Sequence, residues 1–517
     1  MIFDKTPIVN HEQPWRTRVG FTLLLAVLLL LAASKTVLYD TLDPDAFWHL
    51  RVAEQIERDG VRPLVDDISF MSIKQPWTPY SWLAELGMKV IWDAGGYRAA
   101  IVAQSLTIAV LFLFIALGCV EVTRPPRPYL AIALAMVFAG YLALPYLSFR
   151  PVTIALALIA CCAWLLLRDR RLDERSGAVW LVPIFTALLI NIHLFALFVP
   201  LWIGALLVGA IRERWNIAHW SERTDQTRKI KRYSALFACS CFACLATPML
   251  AGMAATITHY GQHDPMVGSQ VIAELRPFYA NSMWPVTACV LLATVGVRLW
   301  KRSYFRTGEW IVLAIGTAGL FWMGRLAPLF VMIAAPMLAA ALPALKARLL
   351  ARPLVWAALS ATIVLGVVKI LDAFPSSDMP MSSWLNRHGP DTPGFPVGAA
   401  AFVTNRIPPT TWRIINDFNC GGYLAWELGP RFQVFMDART QLYTPEFWKD
   451  TCLGDEQAVE NSVRSVTADA AIVPLTSKKL ATALKALGWK QVYRDDRAQV
   501  FIPGDSPHAN LLADTKE

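Results

Sequence analysis

Residues 19–38 read VGFTLLLAVLLLLAASKTVL, and after four further residues the chain continues DPDAFWHLR (residues 43–51). At about 1.5 Å per residue, a helix over the first stretch crosses a hydrocarbon core of about 30 Å. The polar stretch before it carries Lys5, Arg16 and Arg18. The apolar run is too long for a signal peptide core, and no small-residue cleavage site follows it. It therefore reads as a retained first span with its N-terminus inside. The second stretch places two aspartates just beyond the end of that span, where a carboxylate avoids most of the cost of lying at the bilayer centre.

Composition extends this reading to the whole chain. The 517 residues are 55% hydrophobic and 17% charged, against about 25% charged in soluble domains. Further apolar runs lie at 99–120, 129–147, 151–167, 177–192, 195–211, 233–252, 284–300, 309–326, 328–345 and 354–372. The stretch 177–211 is divided at Asn191 and His193, which interrupt it. With the first span this makes about eleven transmembrane helices. The net charge of +9 does not point to nucleic acid, because the basic residues form short clusters between apolar runs. Arg124 and Arg127, Arg168 to Arg175, Arg212 to Arg232, Lys301 to Arg306 and Lys346 to Arg352 all fall on one side. The short connections opposite hold only Arg150, Arg276 and Arg325. By the positive-inside rule the clusters are cytoplasmic. The first outer loop, 39–98, and residues 373–517 then face outward. The expected organisation is a polytopic α-helical membrane domain, 1–372, followed by a small extracytoplasmic α/β domain, 373–517. Strand-like runs at 432–436 and 470–473 and a helix-like run at 477–487 support the α/β expectation.

Several outer-side residues are candidates for chemistry. Asp43 and Asp45 can serve as general base or hold a divalent cation such as Mg²⁺ or Mn²⁺ against a phosphate. Equally, Asp45 can cap a helix over 46–59. Arg150 and Arg325, each at an outer helix end, suit a phosphate by bidentate geometry, or else snorkel to the interface. His49, His193 and Glu274 complete the candidate substrate-binding set. His259, four residues before His263 and near Asp264, raises a zinc site that Gly261 disfavours by weakening the helix. Cys420 and Cys452, the cysteines of the expected outer domain, are a candidate disulfide in an oxidising compartment.

Taken together, Asp43 to Gly60, Asp66 to Phe70 and Trp77 to Leu83 resemble the first outer loop of GT-C membrane glycosyltransferases. The likeness is to uncharacterised bacterial members whose loop carries an Asp, an aromatic pair, His and Leu. The Asp-Pro start is also similar to that of the oligosaccharyltransferase catalytic subunit. Phe149-Arg150-Pro151, Asn191-Ile192-His193, Asn419 to Leu424 and Val434 to Arg439 extend the resemblance along the chain. It implies a transferase that takes a sugar from a polyprenyl phosphate or pyrophosphate on the outer face of the cell (inner) membrane. An acidic residue of the first outer loop would then be catalytic or metal-binding, which maps first onto Asp45 and then onto Asp43. Two departures stand out. The Trp-Trp-Asp triplet that reads the acceptor sequon in oligosaccharyltransferase has no counterpart in Asn416 to Tyr423. The bacterial group carries His-Glu-Trp-Leu where this chain has Tyr80-Ser81-Trp82-Leu83. The expected partners are a lipid-linked sugar donor and membrane lipids, with no nucleic acid. A transporter or flippase with a periplasmic cap, and a non-catalytic relative acting in assembly, are the competing readings. The lack of internal repeats and the grouping of charges at one face favour the enzyme.

Overall fold

The computed structural model describes residues 14–38, 42–72, 76–123, 127–215, 220–262, 265–269, 272–280, 305–342 and 395–506. The runs expected to span at 284–300 and 354–372 lie outside the described residues, as do His263 and Asp264. Among the described residues six helices are long and apolar enough to cross a membrane: Thr17–Lys35, Trp82–Val122, Tyr129–Tyr146, Pro151–Arg171, Leu194–Trp215 and Gly324–Ala341. Gly177–Leu189 and Thr307–Trp322 are apolar but shorter. The chain is a multi-pass membrane protein.

Helix α1 (Pro14–Leu38) leads through Asp43 into α2 (Asp45–Asp59), which is amphipathic and lies in the loop expected to face outward. Strands β1 (Leu64–Val65) and β2 (Pro76–Trp77) pair antiparallel and precede α3 (Trp82–Val122). A straight helix of 41 residues would run about 60 Å, twice the hydrocarbon thickness. It is broken at Gly95 and at Gly96, whose φ of +54° favours glycine. The break divides an outer segment from the span proper, close to the expected start at 99. Helix α5 (Pro151–Arg171) packs along α3, and α4 (Tyr129–Ala143) lies mainly against α1 and the helix Ala327–Ala341; Ala135, Ala139 and Ala155 are fully buried in this core. Small residues of this kind let membrane helices approach closely.

The expected break near Asn191 is present, between α6 (Leu181–Leu189) and α7 (Phe198–Trp215). Asn191 satisfies the interrupted backbone: its amide donates to the Ala187 and Ala246 carbonyls and its oxygen accepts from Trp82 Nε1. By contrast, the run at 233–252 is not one helix. Helix α8 (Trp220–Ala243) ends and α9 (Leu250–Gln262) begins anew, with Pro248 between them, a residue that disfavours helix before it. At the C-terminal end of α5 the basic clusters meet acids. Arg232 pairs with Asp169 at 2.8 Å and Arg170 with Glu309 at 2.5 Å, while Arg306 and Lys229 both reach Glu174.

Residues 395–506 form a mixed sheet of order β4-β3-β5-β7-β6: β3 (Arg413–Asn416), β4 (Gln433–Val434), β5 (Ala470–Pro474), β6 (Lys490–Arg494) and β7 (Ala498–Ile502). β3 runs parallel to β4 and β5, and β7 antiparallel to β5 and β6. The strand-like runs expected at 432–436 and 470–473 are β4 and β5, and Lys478–Ala486 is the expected helix. This part is not separate from the first outer loop. Ser69 bridges Val434 in parallel, Phe70 N–H donates to the Val434 carbonyl, and Val434 N–H donates to the Ile68 carbonyl. Phe47, Leu50 and Trp77 are buried in one apolar cluster with Tyr423, Phe435 and Trp448. Gly422 permits this contact, and Gly421 a close approach within the sheet part itself. A Cβ on Gly422 would lie 2.9 Å from the Pro44 carbonyl, and one on Gly421 would lie 2.1 Å from that of Met436.

Candidate functional site

Pro44 has helical dihedrals, and α2 starts at Asp45 without a side-chain cap. Asp45 therefore does not cap the helix. Instead Asp43 Oδ1 accepts from the Asp45 N–H at 3.0 Å. Both carboxylates reach Arg150, whose extended backbone (φ −141°, ψ 157°) suits a residue that precedes a proline at a helix start. The guanidinium lies 2.6 Å from Asp43, 3.1 Å from Asp45 and 3.1 Å from Glu274. Glu274 also faces Arg325 Nε at 3.7 Å, so it bridges the two arginines. The Arg276 carbonyl accepts from the Gly324 N–H, tying this segment to the turn that carries Arg325. Five candidates spread over 283 positions (43 to 325) thus form one cluster.

The two aspartates differ in electrostatics. Burial pushes the Asp45 carboxyl from 3.8 up to about 6; Asp43 and Glu274 add to the rise, and Arg150 and Arg325 oppose it. Burial acts on Asp43 too, but the charge and hydrogen bond of Arg150, with the Asp45 N–H and Ser148, outweigh it and hold Asp43 below its ordinary value. Neighbouring acids pushed apart in this way divide into a permanently ionised anchor and a titrating group. Burial, then the charges of Arg150 and Arg325, keeps His49 neutral.

His49 follows Asp45 by one turn on the same face of α2. Its Nδ1 lies 2.9 Å from Glu85 Oε1, on the first turn of α3. Sequence reasoning assigned no role to Glu85; its only signal was a carboxylate one turn after Ser81. His193 caps the short helix Leu194–Leu197, its Nδ1 accepting from the Phe195 N–H. Burial lowers its pKa to about 3, so it is a neutral ring. A local backbone partner, rather than a place among the acids and arginines, accounts for one of its two nitrogens.

The divalent-cation expectation meets an obstacle in the donor set. Asp43, Asp45 and Glu274 converge on Arg150, which supplies the positive charge that a cation would bring. Among the described residues no three His, Cys, Asp or Glu side chains are grouped to hold a metal. These residues do not fit Mg²⁺ or Mn²⁺ as they stand. Likewise, the expected disulfide is not formed. Cys420 is a buried free thiol directed at the Asp417 carbonyl, and Cys452 is a free thiol 3.7 Å from Met436 Sδ.

A second cluster fastens the loop to the sheet. Arg439 is fully buried, with one guanidinium nitrogen 2.7 Å from Asp66 and another 2.6 Å from Asp437. It also stacks over the Trp77 ring at 5.2 Å.

This arrangement, a helical bundle with a kinked α3 and a first loop packed against a small α/β sheet, has counterparts among solved structures. Among solved structures the chain is similar to the oligosaccharyltransferase of Archaeoglobus fulgidus in the apo form, a GT-C glycosyltransferase. The TM-score is 0.54 at 12% identity, over 96% of this chain and 76% of that one. It is similar to the same organism's oligosaccharyltransferase AglB in complex with an inhibitory peptide and a dolichol-phosphate. That likeness also has a TM-score of 0.54 at 12% identity, over 92% of this chain and 73% of the other. No family model matches the chain, and no curated protein matches its sequence.

Proposed function

We propose that this protein is a membrane glycosyltransferase that moves a sugar from a polyprenyl-phosphate-type lipid to an acceptor hydroxyl on the outer face of the cell (inner) membrane. The observation that carries this reading is the meeting of a carboxyl titrating near 6 with two arginines that share one carboxylate. A solved structure of similar fold is a complex with a dolichol-phosphate, which supports a lipid phosphate as the ligand class. In this scheme the carrier phosphate exchanges with Glu274 between Arg150 and Arg325. The acceptor oxygen attacks the anomeric carbon as the bond from that carbon to the phosphate oxygen breaks. The hydroxyl proton passes to Asp45, and the charge left on the phosphate is held by the two arginines. Asp43 stays ionised and keeps Arg150 in place. No step is routed through a metal ion, since Arg150 stands where one would act. The orientation is inferred from basic residues such as Arg170, Arg232 and Arg306, which gather at the other end of α5, about 30 Å from Arg150: they face the cytoplasm, and 395–506 face outward.

The test is the lipid that accompanies the protein through purification in mild detergent, identified by mass spectrometry. The expected species is a polyprenyl phosphate bearing a sugar, retained in larger amount by Asp45→Asn. Bulk phospholipid alone in both proteins rejects the proposal.

A further inference from the structure

Glu85 is 1% exposed and lies on the outermost turn of α3, against α2. One of its oxygens meets His49 Nδ1 at 2.9 Å. The other, Oε2, is buried and has no hydrogen-bond partner among the described residues; nor has Ser81 Oγ, one turn earlier on the same face. A buried polar atom left unpaired costs about 1–3 kcal/mol. An apolar side chain of similar volume would pack there at less cost, so stability does not account for a carboxyl group at this position. What Glu85 does supply is a fixed partner for one specific nitrogen of His49. In a neutral imidazole one nitrogen carries the proton and the other accepts, and the bond at one decides the role of the other.

We infer that Glu85 is a positioning residue: it accepts from His49 Nδ1–H, locks that tautomer, and leaves Nε2 as an acceptor for a hydroxyl of the donor sugar beside Asp45. The inference rests on the transferase reading. His49 is one helical turn from Asp45 on the same face of α2. It is therefore part of the same site, not of the distant core. An acceptor nitrogen there complements a cluster whose arginines can only donate.

The test uses the full chain in detergent, labelled with ¹⁵N-histidine, its eight histidines resolved by loss of the His49 signal in His49→Gln. The expected wild-type His49 is the neutral Nδ1–H tautomer. Glu85→Gln keeps it through the amide oxygen, and Glu85→Leu loses it. Binding is measured with polyprenyl phosphate and with a panel of polyprenyl-phosphate glucose, mannose and galactose. Glu85→Leu is expected to weaken the best hexose lipid roughly five- to tenfold, the worth of one neutral hydrogen bond, and to leave the sugarless lipid unchanged. An Nε2–H tautomer in the wild type, or equal losses for both lipids, overturns the inference. Wild type that binds neither lipid overturns the transferase reading and this inference with it. Wild type that binds both, with Glu85→Leu unaffected, overturns this inference alone.

Discussion

Asp45→Asn should make the protein more stable and far less active at once. The carboxyl rises from 3.8 to about 6 in the folded chain. At about 1.4 kcal/mol per pH unit, the ionised form is disfavoured by about 3 kcal/mol relative to the unfolded chain. The side chain keeps 29% of its surface, and solvent screening reduces this to about 1–2 kcal/mol. The sign follows from the raised value. The stability contributed by the protonated carboxyl is complete below 3.8 and is lost as pH rises through about 6. Asparagine, permanently neutral and of the same size, avoids that loss. Thermal unfolding in detergent, followed by tryptophan fluorescence, should place the variant above wild type at pH 7.5. The gap should narrow as pH falls from 6 toward 3.8. Meanwhile transfer of sugar from the co-purified lipid should fall by about 10²–10⁴, the usual worth of a general base. In the wild type that rate should climb with pH through about 6. A variant that melts below wild type at pH 7.5, or one that transfers at the wild-type rate, refutes the reasoning.

Glu274→Gln removes the charge that bridges Arg150 and Arg325; polyprenyl phosphate should bind about tenfold tighter, a gain of about 1.4 kcal/mol, read by ligand-dependent thermal shift. Weaker binding would place Glu274 among the groups that hold the lipid. Arg439→Ala strands Asp66 and Asp437 in the interior and should cost about 3–5 kcal/mol, seen as a lowered unfolding midpoint; an unchanged midpoint would show that the triad does not fasten the loop to the sheet. Dialysis against a chelator should leave transfer unchanged, because Arg150 supplies the local positive charge; loss of transfer that Mg²⁺ or Mn²⁺ restores would return Asp43 and Asp45 to the role of metal ligands.

Much of the fold was legible because membrane insertion is read over about 20 neighbouring residues, and hydropathy is a local signal. The break at Asn191 and His193 and the strands near Val434 and Ala470 were visible for the same reason. The cluster residues were visible one by one: charged groups at outer helix ends are scarce, so Asp43, Asp45, Arg150, Glu274 and Arg325 stood out. Their mutual arrangement was not. Nothing near Arg150 in sequence tells that three carboxylates will saturate it, because Glu274 lies 124 positions away. Glu85 escaped notice because its significance depends on a contact with another helix. The pairing of Cys420 with Cys452 rested on compartment and elimination, whereas their actual neighbours, the Asp417 carbonyl and Met436, are set by tertiary packing.

The buried contact between Asp66 and Arg439 joins residues 373 positions apart, and the ribosome makes them at different times. At about 5–20 residues per second, roughly 20–75 seconds separate the two ends of the contact. Throughout that interval the loop that carries Asp43 and Asp45 lacks the sheet edge against which it packs. The site therefore cannot be completed until residues near Arg439 have been made, and a chain cut short before them carries the acids and arginines but not the surface that sets them in place. Such a fragment would leave Trp48 and Trp77 without the apolar cluster that buries them. The same delay makes the segment around Ile68 to Phe70 an unpaired strand edge during biogenesis, and it is the place where assistance from a chaperone would matter most.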